Sequence, residues 1–180
     1  ASSLSAATDR KILGNTLPTY FGGFTSRMGY KQFDLNFLVR FSGGNKVFNA
    51  TRRDLMNMNL NNNSTEILGR WQSADKPGDG ITPRLWASSN PFVNLTSGAS
   101  TRFVEDGDFI SLDNVSLGYT LGSFLTKKIG LSSVRVYAQA QNVLMITKYK
   151  GLNPEMETLG VDLNGTPISR IVSFGINVGF

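Results

Sequence analysis

The side chains best equipped for chemistry in this 180-residue chain are acidic. Asp75, Asp79, Glu105, Asp106 and Asp108 carry the hard oxygens that calcium takes, but the spacing of an EF-hand loop is missing. Histidine and cysteine are absent, which removes the imidazole base, the thiolate nucleophile, the usual zinc ligands and any disulfide framework. No serine sits in a nucleophile-elbow motif, no glycine run has phosphate-binding spacing, and no two carboxylates stand out as a hydrolase pair. The expectation is a chain that is not an enzyme, with no catalytic residue, cofactor or metal. Trp71 and Trp86 have rings that could stack on sugars or anchor a partner, although packing a loop against itself uses the same rings. The Met- and Asn-rich run from Asp54 to Asn63 reads as a short helix fading into a loop, with Leu55, Met56 and Leu60 turned inward.

With no reaction in view, the elements themselves carry the information. Phe33, Leu35, Phe37, Val39 and Phe41 alternate with Asp34, Asn36, Leu38, Arg40 and Ser42. Period two over that span means a strand with one apolar and one wet face; helical spacing would scatter the apolar residues around an axis. The pattern returns in Val172, Phe174, Ile176, Val178 and Phe180, set against Ser173, Gly175, Asn177 and Gly179. Val134, Val136, Ala138 and Ala140 oppose Arg135, Tyr137, Gln139 and Gln141. Val115, Leu117 and Tyr119 oppose Asn114, Ser116 and Gly118; upstream, Phe109 to Leu112 breaks the phase and predicts a bulge or a rise out of the membrane there. A Gly-rich segment from Phe21 to Met28 is a fifth strand. The expected strands are 21–28, 33–42, 109–120, 134–142 and 169–180.

Short connections (Gly29-Tyr30-Lys31, and the modest Leu121 to Ser133) alternate with long ones (Gly43 to Gly107, and Val143 to Ile168). An outer-membrane barrel is built this way, with short periplasmic turns and long extracellular loops, and its strands need only about 9–11 residues with alternate ones apolar. The apolar set Phe33, Leu35, Phe37, Val39, Phe41, Val115, Leu117, Tyr119, Val134, Val136, Val172, Phe174, Ile176 and Val178 is then membrane-facing. Asp34, Asn36, Arg40, Arg135, Tyr137, Gln139, Gln141 and Asn177 face the lumen. Arg170 has apolar parity but lies at a strand end, where it can snorkel to water. Tyr30, Tyr119 and Phe124, near the short-turn end, suit an aromatic girdle. Five strands cannot close a barrel, so the fold expected is all-β, a fragment of a large antiparallel transmembrane barrel and not a closed barrel alone. Ala1 to Ala7 has no apolar signal region, so any targeting sequence is expected outside this chain. The net charge of +5 is scattered, with no basic stripe interleaved with aromatics, and nucleic acid is not an expected partner. A soluble carbohydrate-binding β-sandwich alternates in the same way with its apolar face on a core. A passive porin or autotransporter pore would share the barrel.

Several segments together resemble the C-terminal part of the β-barrel of SusC/RagA-family TonB-linked outer membrane transporters of Bacteroidetes-type bacteria. Ile12-Leu13-Gly14-Asn15-Thr16-Leu17-Pro18 with Phe21-Gly22-Gly23-Phe24 resembles the approach to a late barrel strand. Arg70-Trp71, Lys76-Pro77-Gly78-Asp79 and Ile81-Thr82-Pro83-Arg84 resemble a long extracellular loop. The most specific block is Glu105-Asp106-Gly107-Asp108-Phe109-Ile110 running into Asn114-Val115-Ser116-Leu117-Gly118-Tyr119. Gln141-Asn142-Val143-Leu144, the stretch from Thr147 to Glu155 and the closing Phe174 to Phe180 complete it. Ser111 and Asp113 stand where the family often has basic residues, and Asn153 where aspartate is common. The resemblance implies a barrel in the bacterial outer membrane, embedded in the lipid bilayer and plugged by an N-terminal domain absent here, through which TonB, ExbB and ExbD energise it. It implies a SusD-like surface lipoprotein as partner and import of oligosaccharides or peptides. It also implies that Phe180 is an aromatic assembly signal read by the outer-membrane assembly machinery.

Overall fold

In the computed structural model the described residues are 10–57, 62–85, 100–128, 130–155 and 159–180. Eight strands are present among them: β1 (Tyr20–Tyr30), β2 (Phe33–Gly43), β3 (Lys46–Asn49), β4 (Val104–Asp106), β5 (Phe109–Thr120), β6 (Ser133–Thr147), β7 (Val161–Asp162) and β8 (Ile171–Gly179). Two short helices join them, α1 (Ala50–Leu55) and α2 (Ser123–Lys128). The chain divides into a strand unit, Pro18–Gly44 with Gly107–Lys148 and Thr166–Phe180, and a loop unit formed by the remaining segments.

The strand unit is one antiparallel sheet in the order β1-β2-β5-β6-β8. It is open, with β1 and β8 at its edges. The β1–β2 hairpin turns on Lys31 and Gln32, later than the expected Gly29-Tyr30-Lys31, and Lys31 takes a left-handed φ of 54°. The phase break near the start of β5 is a pair of bulges in the middle of the sheet. Leu38 pairs with Asn114 but Val39 pairs with Leu112, which leaves Asp113 as the extra residue on β5. Asn114 pairs with Gln141 and Leu112 with Leu144, so β6 carries Asn142 and Val143 between those two pairs. Asn142 takes a left-handed φ of 52°, and its side-chain amide donates to the Ser169 carbonyl at 2.9 Å. Asparagine tolerates that backbone better than most residues, which fits its place at a bulge. The strand expected over 134–142 therefore does not stop at the bulge. It resumes with Leu144 and Ile146 on the same apolar parity and runs to Thr147.

The loop unit is more than a pair of connections. Its three short strands pair in the order β4-β3-β7, with β3 and β7 parallel. Val47, Ala50, Met56, Phe103 and Tyr149 are buried. Asn49 caps α1 by accepting the Arg52 backbone N–H at 2.7 Å, which starts the helix upstream of the expected run from Asp54. As a result Leu55 ends the helix 42% exposed, not packed inward, while Met56 is buried. Leu60 and Trp86 lie outside the described residues.

An Asp79-centred turn orders the segment around it. The Asp79 carboxylate accepts the backbone N–H of Ile81 at 2.8 Å and of Thr82 at 2.6 Å, and the Thr82 hydroxyl donates to it at 2.7 Å. Gly78 precedes it with φ +70°, where a Cβ would lie 2.1 Å from the Gly69 carbonyl oxygen. Bonds from the Thr82 and Ile81 groups hold the Asp79 carboxyl down at about 2, from an ordinary 3.8. A depressed carboxylate stabilises the fold fully above its unfolded pKa, and that contribution disappears as pH falls from about 4 through about 2. Amide protection at Ile81 and Thr82, taken relative to the intrinsic exchange rate at each pH, is expected to fall in that window in the intact protein. Asp79→Asn should show the same protection at both ends of the window; an unchanged pH response in that variant would refute the assignment.

Candidate functional site

Because every strand alternates, the register sorts residues by face. Phe33, Leu35, Phe37, Val39 and Phe41 pair with Tyr119, Leu117, Val115, Leu112 and Ile110. Across β6 and β8 the same face continues through Val134, Val136, Ala138, Ala140, Val172, Phe174, Ile176 and Val178. This face is uncovered: Phe174 is 82% and Ile176 67% exposed. The Phe41 ring lies over Gly22, its partner on β1, where a Cβ would meet it at 2.7 Å. Phe180, beyond the end of β8, is exposed.

Asp34, Asn36, Arg40, Arg135, Tyr137, Gln139, Gln141 and Asn177 stand on the opposite face, together with Ser111, Asn114 and Ser116. The charges on it are paired across strands. Arg135 on β6 reaches over β5 to Asp34 on β2, its Nε at 2.9 Å from one carboxylate oxygen and a terminal nitrogen at 2.5 Å from the other. Gly118 is the residue crossed, and a Cβ there would stand 2.3 Å from that guanidinium and 2.4 Å from the Asp34 carboxylate. The glycine thus makes room for a two-pronged ion pair that spans three strands. Behind it the Arg135 guanidinium sits 5.1 Å from the centre of the Tyr137 ring, which in turn lies across Gly175 on β8. A continuous polar belt thereby crosses β2, β5, β6 and β8.

The second pair needs the bulge. Strict alternation from Val115 would put Asp113 on the apolar face. As the extra residue it turns the other way, where it accepts from the Arg40 guanidinium and from the Ser111 hydroxyl at 2.6 Å. Arg40 also lies 5.8 Å from the centre of the Phe109 ring, so Phe109 and Ser111 are buried on the polar side beneath it. Asp113, Ser111 and the two seat glycines are the residues that sequence reasoning missed. The available signal was a lone Gly118 inside a strongly alternating strand, which marks a close approach.

In the loop unit, Arg52 forms the central ion pair. Its guanidinium donates to both Glu66 oxygens at 2.8–3.1 Å, to Glu105 at 3.0 Å and to the Arg102 carbonyl at 3.2 Å. These bonds hold the Glu66 carboxyl below the usual range, against its partial burial. Burial, followed by the Asp162 hydrogen bond, pushes the Tyr149 phenol far up, so it serves as a neutral donor to Asp162 at 2.6 Å. Asp75 and Asp108 are not gathered with Glu105 and Asp106: among the described residues no group of three or more acids could hold a metal ion. Trp71 is 37% exposed.

An open antiparallel sheet with one apolar and one charge-paired polar face fits half of a sandwich or an arc of a barrel, and the comparisons with known proteins favour the barrel. No family model matches the chain. Over 97% of its length it is 30% identical to TonB-dependent receptor P3 of Formosa agariphila, and over 99% it is 33% identical to TonB-dependent receptor P39 of the same organism. TonB-dependent receptor SusC of Bacteroides thetaiotaomicron is 28% identical over 88% of the chain. Among solved structures, the RagAB peptide importer in its closed-closed state superposes on the whole chain with a TM-score of 0.77 at 27% identity. The chain spans 18% of the length of the first two relatives and 19% of that importer chain. These relatives are receptors and transporters, not enzymes. The chain is similar to a segment of SusC/RagA-like TonB-dependent receptors, and its sheet is open, as an unclosed part of such a barrel is.

Gly118→Val is expected to separate Arg135 from Asp34 and to cost the assembled protein about 1–3 kcal/mol, in line with overpacked sites. The midpoint of urea unfolding in detergent reads this directly. An unshifted midpoint would mean that the ion pair does not need the glycine.

Proposed function

We propose that this segment forms part of the wall of an outer-membrane active importer, with its apolar face against lipid and its polar belt facing the lumen. The observation that carries the reading is the uncovered state of the apolar face: a sandwich would hide Phe174 and Ile176 in a core, yet they are 82% and 67% exposed. Lipid accepts such a face at no cost, whereas Lys or Arg at the bilayer midplane costs about 2–4 kcal/mol. No charged residue stands among the apolar-face residues of β2, β5, β6 and β8 once the bulge has turned Asp113 away. The edges, β1 and β8, are left for strands of the rest of the barrel, since unpaired backbone groups cannot persist in hydrocarbon. On this reading the five strands are C-terminal strands of the barrel, and the plug lies outside them.

Both long excursions leave the sheet at the end holding Gly43, Phe109 and Thr147 and, for β8, Ile171. This is the extracellular side in the proposed orientation, and a SusD-like lipoprotein is the partner proposed there. Import is energised by TonB through a plug, and the cargo class is an oligosaccharide or a peptide. RagAB, a peptide importer, supports peptide as one member of that pair.

The test compares adjacent residues of one strand. Val115→Arg, on the apolar face, is expected to reduce heat-modifiable, assembled barrel in outer-membrane fractions severalfold, consistent with the midplane cost above. Ser116→Arg, one residue on and facing the lumen, should assemble like wild type. Equal assembly of the two variants would remove the lipid reading.

A further inference from the structure

The apolar face is not evenly filled. Near the short-turn end, the row Phe33, Tyr119, Val136 and Ile176 is followed by the row Leu35, Leu117, Ala138 and Phe174. The small Ala138 leaves a depression of about 510 Å³, with Phe33 and Tyr119 on one flank and Phe174 and Ile176 on the other. The flanking rings of Phe33 and Tyr119 stack at 4.8 Å between centres. The depression is open to the surroundings along the face, and its walls are almost wholly apolar.

Cations gather at the same end. The β1–β2 turn carries Lys31, whose ammonium lies 5.3 Å from the centre of the Tyr30 ring. The β5–β6 connection carries α2, where Lys128 lies 4.5 Å from the centre of the Phe124 ring and Lys127 is exposed beside it. Phe124 and Leu125 are 71% and 55% exposed, while Thr126 is buried. The helix is held in shape by its exit: Gly130, at φ +74°, donates to the Lys127 carbonyl at 3.3 Å and Leu131 to the Thr126 carbonyl at 3.0 Å. None of the three lysines is salt-bridged to a carboxylate among the described residues. Apolar rings beneath unpaired ammonium groups suit the boundary where acyl chains give way to headgroups.

Building on the membrane placement proposed above, we propose that this slot and these lysines form a binding site for one anionic glycerophospholipid of the periplasmic leaflet. An acyl chain lies over Ala138 between Tyr119 and Phe174, and the phosphate meets Lys127 and Lys128, with Lys31 two strands away. The occupant is a two-part molecule because this end of the sheet has two parts: an open apolar depression that a soluble phosphate does not fill, and lysines on the neighbouring turns that a neutral lipid leaves unpaired. The turn lysines attract negative charge at the surface, and the slot fixes where the lipid sits.

The intact receptor, purified in detergent, is titrated with phosphatidylglycerol, phosphatidylcholine and inorganic phosphate, and bound lipid is counted by native mass spectrometry. Wild type is expected to retain one phosphatidylglycerol about tenfold or more tightly than phosphatidylcholine, as two lysines at a membrane surface imply. In K127Q/K128Q that preference should vanish, while Ala138→Phe should weaken both lipids. Inorganic phosphate should displace neither. Equal binding of the two lipids by wild type, an unchanged preference in K127Q/K128Q, or full displacement by inorganic phosphate would overturn the proposal. Wild type and K127Q/K128Q should both show heat-modifiable migration. Its absence in wild type would count against the membrane placement itself, and its presence with no lipid preference would count against the lipid site alone.

Discussion

A peptide group in hydrocarbon has no water to bond, so a chain that crosses a membrane as strands must find a partner for each backbone N–H and C=O within the sheet. On the proposed membrane placement this constraint decides most of what the strand unit looks like. Register must hold across all five strands, because a slip of one residue would exchange the two faces and bring Arg135 or Arg40 into lipid. The bulges at Asp113 and Asn142 lie at the same level of the sheet, which lets β2, β5 and β6 change step together. Leu112 and Leu144 thereby meet Val39 in one apolar row.

The polar face answers a different demand. On the proposed placement these charges meet water on one side and a low-dielectric sheet on the other, where an unpaired charge is costly. Arg135 and Asp34, and Arg40 and Asp113, satisfy each other across strands that lie 73 or more residues apart in sequence. Glycine is used where these side chains must cross a strand or where Tyr137 must lie flat, so the smallest residues stand beneath the largest polar ones. The loop unit solves its own problem by a related device. A small core around Val47 and Phe103 is held by Arg52, which joins α1 to a 3-10 turn and to β4.

The parts legible in the sequence were those governed by nearest-neighbour alternation. Phe33 to Ser42 states its two faces outright, and the break before Asn114 announced that β5 would be irregular. The position of the extra residue was not legible. Asp113 carries apolar parity when counted from Val115, and only the pairing with β2 shows that it turns. Beyond Gln141 the period is interrupted because Asn142 is polar on the apolar parity and Val143 apolar on the polar one; Leu144 and Ile146 then return to the same parity and the strand continues. The loop unit was read as two long connections because β3, β4 and β7 are two to four residues long, too short to show a period. Its ion pairs link Arg52 to residues 14 and 53 positions away, a spacing with no local signature. The seat glycines were visible as residues but not as seats, since their purpose depends on side chains arriving from other strands.

The central claim, that the two sides of this sheet meet different media, is tested most directly by nitroxide labels placed singly along β2 of the intact receptor in lipid bilayers. The account predicts that labels at 35, 37 and 39 collide with oxygen dissolved in the acyl chains and are shielded from a water-soluble nickel chelate. Labels at 34, 36 and 38 should show the reverse, giving two accessibility profiles of period two in opposite phase. Labels at 35, 37 and 39 shielded from both reagents would mean that this face is packed against protein, and the membrane-wall account would be contradicted.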